Sequence, residues 1–162
     1  MHEQPESHKE IEKRILSTFA GVARSIGYSP LHGMIIGALL VKGRALSLQE
    51  LADETGYSPS MVSLSLDLLE VLGTIKRVKK EADRKLYVAL QGDLLESLKN
   101  AILIRVKKSI GNSLVEFQEA KERLKGVGPQ EKENVENAIG ILEAEIRRLE
   151  KYVNLLSGMR LP

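Results

Sequence analysis

Between Lys76 and Lys85 the chain gathers six cations, Lys76, Arg77, Lys79, Lys80, Arg84 and Lys85, against two carboxylates, Glu81 and Asp83. Ammonium and guanidinium groups this dense can neutralise phosphates, and the counterions released on contact drive such binding. A second cluster lies just upstream, where Ser58, Ser60 and Ser63 are interleaved with Met61 and Leu64. Hydroxyls hydrogen-bond almost any base edge, whereas methionine and leucine offer only apolar contact, as to a thymine methyl. None of these side chains is a bidentate donor for guanine, and Asp67 beyond them repels phosphate. Base reading from here is therefore weak, apolar or indirect, with Arg84 in a narrow A·T-rich minor groove as the physical route back to specificity. The basic run has a plainer reading too, because exposed hairpins carry lysines that block pairing at sheet edges. The elements beneath the two clusters favour nucleic-acid contact.

Ser47-Leu48-Gln49-Glu50 is a capping box, in which the serine accepts from the third amide and Glu50 reaches back. Leu48, Leu51 and Ala52 give the helix an apolar face, and Thr55-Gly56-Tyr57 breaks it. A second helix restarts at once over 58–72, with Ser58 as N-cap and Pro59 at the first helical position, where a missing N–H costs nothing. Val62, Leu66, Leu69 and Leu72 line its buried side, and the opposite face, with Ser60, Ser63 and Ser65, is slim enough for a major groove. The basic run then falls on a β-hairpin over 75–90. Ile75 to Lys80 and Lys85 to Leu90 flank a polar turn, and Leu86, Val88 and Leu90 alternate with Lys85, Tyr87 and Ala89. The order is that of a winged helix-turn-helix with a small two-stranded wing.

The run Leu51-Ala52-Asp53-Glu54-Thr55-Gly56-Tyr57-Ser58, with Val62-Ser63, Leu66, Leu69-Glu70, Leu72-Gly73 and Asp83-Arg84-Lys85, resembles the MarR superfamily of winged-helix regulators. Upstream, Gly27-Tyr28-Ser29-Pro30 with Gly33 and Gly37 makes the resemblance closer to the GbsR-like branch, and it covers about residues 10 to 125. It implies a homodimeric, sequence-specific DNA-binding transcriptional regulator whose second helix enters the major groove and whose wing touches the minor groove. It also implies a small-molecule effector. An aromatic cage for a quaternary amine would need several converging rings, and aromatics make up 4% of the chain, with Phe19, Tyr28, Phe117 and Tyr152 as candidates. The chain departs from its relatives at the recognition helix, where many of them carry Arg or Lys.

The 162 residues, 43% apolar and 28% charged, suit one ordinary globular chain, mainly α-helical. Net charge is +2, so the basic hairpin is local. Cysteine is absent, which excludes disulfides, thiolate zinc sites and thiol redox sensing. The longest apolar run, Met34 to Val41, is far short of a membrane span, and the start lacks a signal pattern, so a cytoplasmic location is expected. Residues 1–7 read as a disordered tail, 8–92 as the DNA-binding domain and 93–162 as a helical dimerisation region. Helices are expected from about Glu10 to Ser25 and from Pro30 to Lys42, where Gly33 and Gly37, one turn apart, let another helix approach.

Asp93 then caps a long helix to about Leu124, with Leu95, Leu98, Ile102, Val106, Ile110, Leu114 and Phe117 along one side. After Gly126-Val127-Gly128-Pro129, the last helix repeats Val135, Ile139, Leu142, Ile146, Leu149, Val153 and Leu156 in coiled-coil heptads. Its flanks reject a twin, since Glu145 would face Glu150 in a parallel pair and Glu143 would face Glu150 in an antiparallel one. An antiparallel pairing inside the chain, against Arg105, Lys107 and Lys108, is expected instead, with a dimer interface on the outer surface. Dimerisation then falls to Ile102, Val106, Ile110, Leu114, Phe117, Ile139, Leu142, Ile146, Leu149 and Val153. Three scattered histidines (His2, His8, His32) and the lack of phosphate-loop or HExxH spacing leave no catalytic, metal or cofactor constellation. The second function class is a winged helix that docks proteins in a larger assembly, from which the basic hairpin distinguishes this chain.

Overall fold

The computed structural model describes residues 7–162. Its elements run α1 (His8–Ser25), α2 (Pro30–Lys42), β1 (Leu46–Ser47), α3 (Leu48–Thr55), α4 (Pro59–Val71), β2 (Ile75–Lys79), β3 (Leu86–Leu90), α5 (Leu94–Leu124) and α6 (Pro129–Gly158). They divide into two compact units between Leu98 and Lys99.

In the first unit, α1 begins two residues earlier than Glu10, because Ser7 and Glu10 form a reciprocal capping box. Ser7, expected in the tail, is thus a helix cap; residues 1–6 lie outside the described residues. Leu31, Ile35 and Leu39 of α2 form the middle of the core. Around them pack Leu16 of α1, Leu51 of α3, Val62, Leu66 and Leu69 of α4, and Leu46, Ile75 and Val88 of the sheet. Each large side chain buried this way contributes about 1.5–3 kcal/mol. Helices α1 and α2 touch backbone to backbone at Gly33, where a Cβ would lie 2.0 Å from the Phe19 carbonyl oxygen. Gly37 repeats the approach one turn later, at 3.4 Å from the Leu16 Cα. Lys42 ties three helices together, with Glu12 of α1 and Glu54 of α3 each 3.2 Å from its Nζ.

The sheet has three strands, in the antiparallel order β1-β3-β2. The added strand is only Leu46 and Ser47, opposite Val88 and Tyr87, and two residues are too short to show a strand period. Val88 lies opposite Arg77 in the hairpin, whose two strands are each one residue shorter at the turn than the expected runs to Lys80 and from Lys85.

In the second unit, α5 and α6 form an antiparallel pair within the chain. Leu103, Ile110 and Val153 are buried in the seam, with Val106, Leu114, Ile146 and Leu156 packed against them. Lys121 is bonded to Glu143 of the acidic flank, and Lys107 and Lys108 are exposed. Of the heptad positions, Ile139 and Val153 are buried and Ile146 is partly so, whereas Leu142 and Leu149 stay exposed. A two-helix pair has one seam, and the apolar side of α6 is wider than that seam.

Candidate nucleic-acid interface

The helix-turn-helix is set by its caps. Ser47 Oγ accepts from the Glu50 amide at 3.2 Å, and Glu50 Oε2 accepts from the Ser47 amide at 2.7 Å. The Arg44 guanidinium, 2.8 Å away, and the Ser47 N–H hold the Glu50 carboxyl at about 2, against an ordinary 4.5. Gly56, at φ 75°, ends α3 in the left-handed region that glycine tolerates best. Ser58 Oγ then accepts from the Met61 amide at 3.3 Å and starts α4, with its hydroxyl 3.1 Å from that of Ser60.

Helix α4 buries Val62, Ser65, Leu66 and Leu69. Ser65 is thus a correction to its expected place on the slim polar face. Its small side chain lets the helix pack closely, and sequence spacing alone did not separate the two roles. The outward face carries Ser60, Met61, half-buried Ser63, Leu64, Asp67 and Val71. Met61 is 49% exposed, Leu64 74% and Val71 78%.

Beside α4, the wing presents Lys76, Lys79, Lys80, Arg84 and Lys85 in exposed positions, none of them in a salt bridge among the described residues. The hairpin end is internally braced. Tyr87 Oη donates to Asp83 Oδ2 at 2.9 Å, the Lys85 amide donates to Asp83 Oδ1 at 3.1 Å, and Lys80 Nζ lies 3.9 Å above the Tyr87 ring. The Lys85 N–H first, and then the Tyr87 hydroxyl, hold the Asp83 carboxyl below the usual carboxylate range. Asp83 is therefore a turn-building group rather than a stray negative charge among lysines.

Arg77 differs from the other wing cations. Its guanidinium donates to Asp67 Oδ1 and to Glu70 Oε2 of α4, each at 2.6 Å. It ties the wing to the second half of α4 and partly offsets the two carboxylates there. Asp67 and Glu70 stand three apart on one helix face, which is the only trace of the clamp in the sequence.

A depression of about 500 Å³ in the first unit is lined by Lys13, Leu16, Arg24, Met34, Asp53 and Tyr57, among others. The aromatic residues expected to cage an effector are not among its lining residues; Tyr57 is the aromatic that is. Tyr28 instead packs edge-on against His32, with ring centroids 6.1 Å apart. The His32 Nδ1 is buried, and burial pushes the pKa of His32 down against the raising effect of the Ser29 backbone, which favours the neutral ring. Among the described residues, no group of three or more His, Asp or Glu side chains is placed to hold a metal ion, and no helix is long and apolar enough to cross a membrane.

In the second unit, five of the ten expected dimerisation residues, Val106, Ile110, Leu114, Ile146 and Val153, belong to the intrachain seam. Ile139 is buried and Phe117 half-buried, while Ile102, Leu142 and Leu149 remain exposed. Ile104, Val115, Ile141, Tyr152 and Leu155 join them in solvent, off the heptad positions that drew attention to the others.

Among solved structures, the chain is similar to a protein described as a transcriptional regulator, with a TM-score of 0.58 and 19% identity over 92% of this chain and 99% of that one. The common ground is the fold. More distant are the transcriptional regulator BldR from Sulfolobus solfataricus, with a TM-score of 0.42, 22% identity and coverage of 83% and 91%, and a mutant MarR from E. coli complexed with operator DNA, at 0.40, 14%, 82% and 86%. No protein-family model and no curated protein matches the chain.

Proposed function

We propose that this chain is a cytoplasmic DNA-binding transcriptional regulator of the MarR type, not an enzyme, and that it acts as a homodimer. The observation that carries the reading is the pairing of an α4 face without cations with five exposed wing cations that are in no salt bridge among the described residues, next to a clamp that partly offsets the charge of Asp67. In it, Ser58, Ser60, Met61, Ser63 and Leu64 approach base edges in the major groove, while Lys76, Lys79, Lys80, Arg84 and Lys85 approach phosphates and the minor groove. Arg77 keeps its place in the site as the group that positions α4 against the wing. The fold shared with a protein described as a transcriptional regulator supports the class. Gly27-Tyr28-Ser29-Pro30 favours the GbsR-like branch, and the depression lined by Lys13 and Arg24 is where a small-molecule effector would act on α3 and the turn.

Dimerisation rests on the second unit, where Ile141 is 66% and Leu155 70% exposed alongside Leu142, Leu149 and Tyr152. So much apolar surface on a pair of helices calls for a partner, and a second copy supplies a self-complementary one. Light scattering at micromolar concentration should return the dimer mass, and Leu142→Asp with Leu155→Asp should return the monomer. Selection of bound duplexes from a randomised library tests the whole reading. A palindromic motif with half-sites about 10 base pairs apart is expected, and failure to enrich any duplex would refute DNA binding.

A protein-docking winged helix is the second reading, favoured by the exposed Leu64 and Val71 on α4. Retention on heparin that falls away with salt separates the two, because a protein-docking surface has no use for the wing cations.

A further inference from the structure

We infer that α4 reads DNA through the C5-methyl groups of thymine, with Met61 and Leu64 as the reading side chains. The inference rests on the DNA-binding reading above and names the base chemistry of the same site. The exposed face of the first two turns of α4 holds two serines, a methionine and a leucine, and no Arg, Lys, Asn or Gln that could grip a purine edge with two donors. The Arg77 guanidinium beside α4 is held by Asp67 and Glu70.

What remains outward is apolar. Leu64 projects with 74% of its surface exposed, and Met61 with 49%. In a major groove the apolar partner on offer is the thymine methyl, since the other groups along the base edges are hydrogen-bond donors and acceptors. The two residues are three apart, about 4.5 Å along the helix axis, which lies between one and two base steps of about 3.4 Å. They therefore address thymines on adjacent or next-adjacent pairs. Ser60 and Ser63, which donate or accept with equal ease, tolerate whatever lies between.

The test uses the full chain and the duplex enriched from a randomised library, prepared once with thymine and once with uracil throughout its core. Uracil keeps every hydrogen-bonding group and removes only the methyl. Wild-type protein should bind the uracil duplex about fourfold more weakly for each contacted methyl. Leu64→Ala, a change at an exposed position, should bind the thymine duplex more weakly and lose much of its sensitivity to uracil. Equal affinity of the wild type for the two duplexes would overturn the inference and leave DNA binding standing, as would a Leu64→Ala variant fully as sensitive as wild type. Failure to enrich any duplex would overturn both.

Discussion

The exposed face of α4 and the wing beside it are built from opposite chemistries. Helix α4 offers serines, a methionine and a leucine and no cation, whereas the wing offers five exposed cations and little apolar surface. A phosphate backbone is the same at every sequence, so in the DNA-binding reading proposed above the wing would supply affinity with little discrimination; base edges differ, so discrimination would come from α4 or from groove shape. Arg77 is the hinge of this contrast. It sits on the wing strand but is committed to Asp67 and Glu70, so the basic element spends one of its cations on making the recognition helix less acidic.

Both surfaces stand on the α1–α2 crossing, and Gly33→Ala breaks them together. A methyl 2.0 Å from the Phe19 carbonyl forces the helices apart. We expect a loss of about 3 kcal/mol in urea unfolding, with DNA binding falling in step; an unchanged midpoint would mean the crossing is not as close as described. Arg77→Gln sharpens the comparison. It should lower affinity about tenfold by freeing Asp67 and Glu70 beside the DNA, without reducing the salt dependence that true phosphate contacts produce. A slope smaller by about one unit per protomer would instead make Arg77 a phosphate contact.

Ser63→Ala tests the weak side of the contrast. One neutral hydrogen bond is worth about 1 kcal/mol, so affinity should fall about fivefold with the motif kept. A motif that collapses would place direct reading on the serine. The smallest effect is expected at Glu50, which supports the start of α3. Its folded-state value of about 2 lies below its ordinary 4.5. The stability it contributes is thus present above pH 4.5 and is lost as pH falls towards 2. Glu50→Gln should be less stable than wild type near neutral pH, the deficit closing in acid, and DNA affinity should hold.

The sequence disclosed the elements whose signals are local. Ser47-Leu48-Gln49-Glu50, Gly56 and Ser58-Pro59 fix two helices within a few residues of chain, and caps of this kind act through neighbours in sequence. The wing was legible from alternation, and Gly33 and Gly37 from their spacing. What escaped depends on distant partners. Strand β1 exists because Leu46 and Ser47 meet Val88 and Tyr87, about forty residues away. The Arg77 clamp joins a strand to a helix, and Lys121 bonds Glu143 across the α5–α6 pair. Leu142 and Leu149 shared a heptad with buried Ile139 and Val153, and only the width of the α5–α6 seam separates those that are covered from those that are not.

The division of labour between wing and helix is most directly tested by the salt dependence of binding to a fixed duplex. If Lys79, Lys80, Arg84 and Lys85 of both protomers approach the backbone, log K should fall against log salt with a slope of about −5 to −7. The variant with all four replaced by alanine should bind at least about a hundredfold more weakly near physiological salt, with a slope reduced to about −2, the share left to Lys76 of the two protomers. A quadruple variant with unchanged affinity and slope would contradict the account, and would leave the wing cations as solvated edge residues.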